Sequence, residues 1–179
     1  MQRDGTSWFT ILPAAVALVA PVSAQATVYM SVEQAQQAMF GGQKLVPHFR
    51  QLQPAEIAAI KKASRASPTS KQLKAWKAAD GGWFILDRVI GKHEFITYAV
   101  AIGPDGAVKR VEILEYRETY GGEIRNANWR QQFVGKRFGS PVSLGKDIKN
   151  ISGATLSSRH VTDGVRRILA TWQLLLRNG

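Results

Sequence analysis

Cysteine is absent from this chain of 179 residues. Disulfide bonds, thiolate catalysis, CxxC redox chemistry and haem attachment through a CxxCH motif are therefore excluded. Zinc binding is not expected either, because the three histidines lie far apart in the sequence, at His48, His93 and His160. The hydrophobic content of 45% is enough for one domain whose buried core needs no covalent cross-link.

Acidic residues are scarce, with 13 Asp and Glu against 24 Lys and Arg, so the net charge is +11. Such a charge favours anionic partners, namely nucleic acid, an anionic membrane surface or an acidic protein. The basic residues clustered at 61–65 and 71–77 are interpreted as the solvated faces of helices. We expect no nucleic-acid partner, because basic and aromatic residues do not alternate in any recognition motif.

A long hydrophobic run is also missing. The apolar stretch from Trp8 to Ala20 is interrupted by Pro13 and is shorter than the roughly 20 residues that span a bilayer. The triplets Val22-Ser23-Ala24 and Ala24-Gln25-Ala26 have the small-x-small form of a signal-peptide cleavage site. We therefore predict that residues 1–26 form a signal peptide, with an uncleaved N-terminal anchor as the alternative, and that the protein is exported to the periplasm.

Helices are predicted in the first half of the chain. Ser31 and Gln34 have capping-box spacing at the start of a helix from Ser31 to Phe40, which Gly41-Gly42 ends. Pro54 is favoured at the first position of a second helix, which runs to about Ala66. A third helix is predicted from Thr69 to Ala79. Residues 27–80 are accordingly interpreted as an N-terminal helical region, with a boundary at Asp80-Gly81-Gly82.

The sequence after Gly82 changes to strand-like patterns. The segments WFILDRVI, HEFITYAVAI and AVKRVEILEY are rich in β-branched and aromatic residues. Short turns join them, which predicts an antiparallel meander. In the second segment both faces are apolar, so we expect a sheet that is covered on both sides.

A long C-terminal helix is predicted from apolar residues at helical spacing, namely Val161, Val165, Ile168, Leu169, Trp172, Leu175 and Leu176. Ser157 or Ser158 is expected to cap its start. A shorter helix is predicted from about Asn126 to Phe133. Consecutive strands with helices before and after them indicate the α+β class.

Four small residues, Ser152-Gly153-Ala154-Thr155, precede this long helix. Gly153 permits backbone angles that other residues avoid, and Thr155 presents a hydroxyl near a helix start, where phosphate is favoured. Two interpretations stay open from the spacing alone. The junction is either a hydroxyl beside a phosphate site or a tight turn with ordinary caps.

The segment SGATLSS resembles the flavinylation motif of the FMN-binding domain family, in which an acidic residue precedes Ser/Thr-Gly-Ala-Thr-x-Ser/Thr. Asp147 occupies the acidic position here. YRETYGGEI is similar to the Glu-Thr-Gly loop of the family, with Glu118 and Thr119 in register and Tyr120 where some members have proline. WRQQFVGK is similar to its F-x-G-K segment. The family includes flavin subunits of Rnf complexes and of the sodium-pumping NADH:quinone reductase, and the periplasmic domain of a regulator of nitrous-oxide reductase.

The resemblance implies an FMN-binding domain at 81–179, with FMN joined covalently to Thr155 through a phosphoester bond. It implies that an FAD-consuming flavin transferase of the ApbE type attaches the FMN, and that the protein is an electron carrier for a membrane or soluble redox partner, without enzymatic activity of its own. The cofactor-binding residues that it implies are Ser152, Gly153, Ala154, Thr155, Leu156, Ser157, Glu118, Thr119 and Asp147. The alternative is a flavin-free binding or sensing module of the same fold.

Two further groups of residues have competing interpretations. Ser157, His160 and Asp163 suggest a serine hydrolase, but they follow each other on one helix and no GxSxG elbow exists, so helix surface and caps are favoured. The aromatic residues Tyr120, Trp129 and Phe133 are candidates either for stacking on a flavin ring or for ordinary core packing.

Overall fold

The computed structural model describes residues 27–118 and 120–179. The predicted signal peptide and Thr119 lie outside these ranges. The described strands are β1 (Thr27–Val28), β2 (Leu45–Pro47), β3 (Arg50–Gln51), β4 (Gln72–Ala78), β5 (Trp83–Ile90), β6 (Phe95–Ile102) and β7 (Val108–Tyr116). The α-helices are α1 (Val32–Phe40), α2 (Pro54–Ser64), α3 (Ala127–Gln131) and α4 (Thr155–Thr171). None of the helices in these ranges is both long and apolar enough to cross a membrane.

The strands form one antiparallel sheet in the order β1-β7-β6-β5-β4-β2, with β3 paired to β4. The predicted meander is confirmed as β5, β6 and β7. The α+β class is confirmed as well, since helices pack on this sheet. Because β5 and β7 run in the same direction, the turn after β5 and the loop after β7 lie at the same end of the sheet.

The sheet is covered on both faces, as the two apolar faces of β6 predict. Tyr98 and Val100 point into the larger core, together with the apolar stripe of α4. Ala99 and Ala101 point the other way, into a smaller core that includes Phe40 at the end of α1. The alternation of side chains along a strand explains why one segment serves both cores.

The helix predicted from Thr69 to Ala79 is wrong, because this segment forms strand β4. Its burial alternates, with Leu73 and Ala75 in the larger core and Ala78 in the smaller one. The basic group at 71–77 therefore lies on a strand. The turn at Gly81 joins β4 to β5. A hydrogen bond from Ala78 N to Gly82 O (2.8 Å) closes this turn. A domain boundary at residue 81 would thus separate two paired strands of one sheet.

Helix α4 begins earlier than predicted. Ala154 occupies the N-cap position and provides no side-chain acceptor. The predicted caps Ser157 and Ser158 lie inside the helix and are buried, and Ser158 Oγ donates to Ala154 O (2.8 Å). The prediction of a serine cap is wrong because the small-residue turn leads directly into the helix. Within that turn, Ala154 N donates to Ile151 O (3.1 Å). The last turn, Trp172–Leu176, is π-helical.

The middle of α4 is anchored to the sheet. Gly164 allows the close approach, because a Cβ atom there would lie 2.2 Å from the hydroxyl oxygen of Tyr98. Arg167, only 5% exposed, donates to Asp87 Oδ2 (2.6 Å), and Tyr98 donates to the same oxygen (3.0 Å). Desolvation by burial, followed by the negative charge of Asp87, raises the pKa of Tyr98 well above its ordinary value. These contacts fix the helix that begins at the small-residue turn.

Candidate functional site

An open cleft of about 570 Å³ lies at the start of α4. The turn between β5 and β6, the loop after β7 and the first turn of α4 border it. Its lining residues are Lys92, His93, Glu118, Tyr120, Gly153, Ala154, Thr155, Leu156 and Ser157. Six of the nine residues predicted for the site therefore lie together. Asp147 and Ser152 do not line the cleft, and Thr119 is outside the described residues.

Thr155 is the first residue of α4 and is exposed on the cleft. Its hydroxyl oxygen accepts a hydrogen bond from the Asn150 side-chain amide (3.1 Å). Gly153, two residues earlier, has φ +82°, and no atom lies within 4 Å of the position that a Cβ would take. The backbone conformation therefore requires glycine here, while the space beside it stays open.

The first turn of α4 has an unusual charge pattern for a helix start. No side chain caps it and no acidic residue lies in its first turn. By contrast, α1 begins with the Ser31–Gln34 capping box and α2 with a Gln53–Glu56 box. Because the N-terminal N–H groups and the helix dipole favour negative charge, the start of α4 is suited to an anion.

Ser157 fastens the loop after β7 to α4. Its buried hydroxyl lies 3.0 Å from the hydroxyl of Tyr116, which donates to Tyr120 O. A Cβ at Gly121 would lie 2.5 Å from the Tyr116 hydroxyl oxygen, so only glycine fits between the two elements. Burial is the main factor that raises the pKa of Tyr116. The hydroxyl of Ser157 therefore has a structural contact at the wall of the cleft.

Glu118 holds the turn between β5 and β6. Its Oε1 accepts from the backbone N–H groups of His93 (2.5 Å) and Glu94 (2.9 Å). Burial acts to raise the pKa of Glu118, but the N–H groups of Glu94, His93 and Lys92 outweigh it and the pKa is lowered. Glu118 is consequently anionic at neutral pH and places Lys92 and His93 at the cleft.

Lys92 and His93 were not predicted as site residues. They lie in the turn of a hairpin, and nothing in their own sequence marks a site. The strand order was the available signal, because in an antiparallel meander the turn after the first strand lies beside the loop after the third. His160 supports the same turn from α4, with Nδ1 3.1 Å from Gly91 O.

Asp147 and Ser152 lie outside the cleft lining. Asp147 accepts from Ser143 N (2.9 Å) and pairs with Lys136 Nζ (3.1 Å). Two residues of the family-like segments thus contact each other and fix the loop before the small-residue turn. Ser152 is exposed in that turn. Their roles toward a cofactor stay predictions.

The aromatic candidates divide into two groups. Trp129 and Phe133 are buried and pack edge to face with ring centroids 5.2 Å apart, so they are core residues. Tyr120 is 83% exposed and borders the cleft. Of these three residues, Tyr120 is therefore the one placed to meet a ligand in this cleft.

The hydrolase interpretation does not fit the contacts. Ser157 meets Tyr116, His160 meets the carbonyl of Gly91, and Asp163 pairs with Arg166 (2.7 Å). A serine triad requires a hydrogen bond between the nucleophile and the base and another between the base and the acid. These three side chains have separate structural partners instead.

The sequence from 91 to 170 matches the FMN-binding domain family. This match spans the loop after β7, the small-residue turn and most of α4. All the residues that line the cleft lie within this stretch, including Gly153 and Thr155.

The chain also matches curated relatives and a solved structure. The chain is 34% identical over 90 residues to the C subunit of the Na(+)-translocating NADH-quinone reductase of Vibrio vulnificus, in strains YJ016 and CMCP6. These matches cover 41% of this chain and 34% of each relative, so the chain spans about a third of the length of these curated relatives. The crystal structure of Shewanella oneidensis NqrC matches with a TM-score of 0.52 and 16% identity, over 76% of this chain and 84% of that chain. This likeness supports a shared fold that extends beyond residues 91–170.

Proposed function

We propose that this protein is an electron-transfer flavoprotein in which FMN is joined through its phosphate to the hydroxyl of Thr155. The observation that carries the proposal is the placement of this hydroxyl. It is exposed, it lies at the first residue of α4, and it opens on the cleft of the FMN-binding domain.

The residues present fit FMN. The cleft volume of about 570 Å³ lies within the range of roughly 300–1,000 Å³ that ligand pockets have. The uncapped start of α4 favours the phosphate, and Lys92 adds a positive charge. Leu156 and Tyr120 offer exposed apolar surface to a planar ring. The open space at Gly153 leaves room beside the attachment point.

Bound FMN supplies the redox chemistry, and the chain binds and orients it. Thr155 is the tether, and the first turn of α4 stabilises the negative charge of the phosphate. Glu118 and Ser157 support the cleft. Glu118 holds the β5–β6 turn, and Ser157 holds the loop after β7 through Tyr116.

A separate enzyme attaches the FMN in this proposal. A threonine hydroxyl is a poor nucleophile at neutral pH and needs a base or a metal to activate it. The partner of the Thr155 hydroxyl among the described residues is the Asn150 amide, which is not a base. An FAD-consuming transferase of the ApbE type is the simplest source of the missing base, and this protein is its substrate.

The proposed role is that of a carrier. Glu118, which lines the cleft, accepts hydrogen bonds from the backbone of the β5–β6 turn, and His160 contacts the same turn from α4, so both side chains have structural partners. The net charge of +11 suits a transient, salt-sensitive complex with an acidic redox partner, in a membrane or in solution. Export to the periplasm, from the predicted signal peptide, would make a covalent tether useful, because free FMN would diffuse away.

The test is the intact mass of the protein after co-production with an active flavin transferase, beside Thr155→Val. We expect the wild type to gain the mass of FMN minus water and the variant to gain nothing. Folding of both proteins is checked by thermal unfolding, and a known acceptor protein shows that the transferase is active. A folded wild type without added mass contradicts the proposal and favours the flavin-free binding or sensing module.

A further inference from the structure

Asn150 contacts the proposed attachment atom directly. Its side-chain Nδ2 donates to Thr155 Oγ1 over 3.1 Å, although the two residues are five positions apart in the sequence. Both side chains are exposed, so an incoming enzyme can reach the pair.

The backbone next to Asn150 is held on both of its polar groups. The indole N–H of Trp129 donates to Lys149 O (2.7 Å), and Lys149 N donates to Gln132 Oε1 (2.8 Å). Gln132 is itself oriented, because its Nε2 donates to Trp129 O (3.0 Å). Trp129 in α3 and Gln132 at its C-cap therefore hold Lys149, the residue before Asn150.

The chemistry of the amide decides how the hydroxyl is oriented. The Asn150 NH₂ group can only donate, so the Thr155 oxygen acts as the acceptor and directs its own proton elsewhere. A hydroxyl that attacks phosphorus must lose this proton to a base, so an orientation that leaves the proton free suits the nucleophile. We propose that Asn150 is a positioning residue that orients the Thr155 hydroxyl for flavin transfer, an inference that rests on the proposed attachment at Thr155.

The transfer step balances without an oxidant or reductant. A bond forms between Thr155 Oγ1 and the phosphorus on the FMN side of FAD, and the pyrophosphate bond to the AMP half breaks. AMP leaves with the bridging oxygen, and the hydroxyl proton passes to a base of the transferase. The ester oxygen that results still accepts a hydrogen bond, so the Asn150 contact can persist after transfer.

The test measures the transfer of FMN from FAD to purified apo-protein, with kcat and KM determined for the acceptor protein. We expect Asn150→Ala to lower kcat about 3- to 10-fold with little change in KM, the size of one ordinary hydrogen bond. Asn150→Asp should lower kcat further, because its carboxylate cannot donate to the Thr155 oxygen and its negative charge repels the incoming flavin phosphate. The matched control is Asn128→Ala, an exposed asparagine of α3, which should keep the wild-type rate.

A second readout needs no transferase. In the apo-protein, Thr155→Val should shift the side-chain amide NMR signals of Asn150 and leave those of Asn128 unchanged. Wild-type kcat in both Asn150 variants, or unshifted Asn150 signals, overturns the inference while leaving covalent attachment intact. A wild type that accepts no FMN from an active transferase overturns the proposed function and this inference together.

Discussion

The first turns of α1 and α4 differ in how their backbone N–H groups are satisfied. In α1, Ser31 Oγ accepts from Gln34 N (3.2 Å), Gln34 Oε1 accepts from Ser31 N (2.8 Å), and Glu33 adds a negative charge. In α4, Ala154 offers no side-chain acceptor and no acidic residue follows in the first turn. Side chains therefore cap the first turn of α1. The first turn of α4, at the cleft, has no side-chain cap.

Helix α4 can begin without a cap because its stability comes from its middle. Gly164 lets it approach Tyr98, and Arg167 reaches Asp87 beneath the helix. A cap contributes about 1 kcal/mol, which the buried contacts of a long helix can exceed. The third turn of α4 and the turns after it therefore anchor the helix, while its first turn stays available for the proposed ligand.

The largest expected effect breaks the anchor of α4. Arg167→Met leaves Asp87 without its buried partner, so we expect the free energy of unfolding to fall by about 3–5 kcal/mol. Chemical denaturation measures this change. The control is Arg159→Met, at an exposed position of the same helix, where we expect a change within about 0.5 kcal/mol. Equal stability of the two variants would refute the anchoring role.

A smaller effect sharpens the contrast between the two helix starts. Leu156→Glu places a negative charge in the first turn of α4, where α1 already has one. Compared with Leu156→Gln, we expect the apo-protein to gain about 0.3–1 kcal/mol from the helix dipole. The same charge should slow flavin transfer, because it repels the phosphate. Equal apo stability together with equal transfer rates in the Glu and Gln variants would rule out an anion-binding role for this turn.

The smallest expected effect concerns the turn that faces the start of α4. Because the folded-state pKa of Glu118 is lowered, its stabilising contribution is present above the unfolded pKa and is lost as pH falls through the folded pKa. The stability difference between wild type and Glu118→Gln should therefore be constant near neutral pH and shrink below the ordinary glutamate value of 4.5. Urea denaturation across this range measures it. A difference that grows as pH falls would contradict the role of Glu118.

Much of this architecture is readable from local sequence. The Ser31–Gln34 spacing predicted the cap of α1, Pro54 predicted the start of α2, and the alternating segments after Gly82 predicted the meander. The small-residue turn predicted a candidate site, and it borders the cleft at the start of α4. These signals depend on neighbours a few residues apart, which fix local backbone geometry.

The misses arose where distant residues decide the structure. Strand β4 forms because β5 pairs with it across the Gly81 turn, and Leu73 and Trp76 alone do not distinguish a strand from a helix. Ser157 is fixed by Tyr116, and Lys92 reaches the cleft through the strand order. Asn150 has no motif of its own, and its contact with Thr155 depends on how α3 holds residue 149.

The most direct test of the central claim is the location of the flavin in the co-produced protein. Trypsin cleaves after Lys149 and Arg159, which releases the peptide NISGATLSSR, residues 150–159. Fragmentation of this peptide should place the FMN phosphate on Thr155 and leave Ser152, Ser157 and Ser158 unmodified. Flavin on another residue, or an unmodified peptide from folded protein made beside an active transferase, would contradict attachment at Thr155.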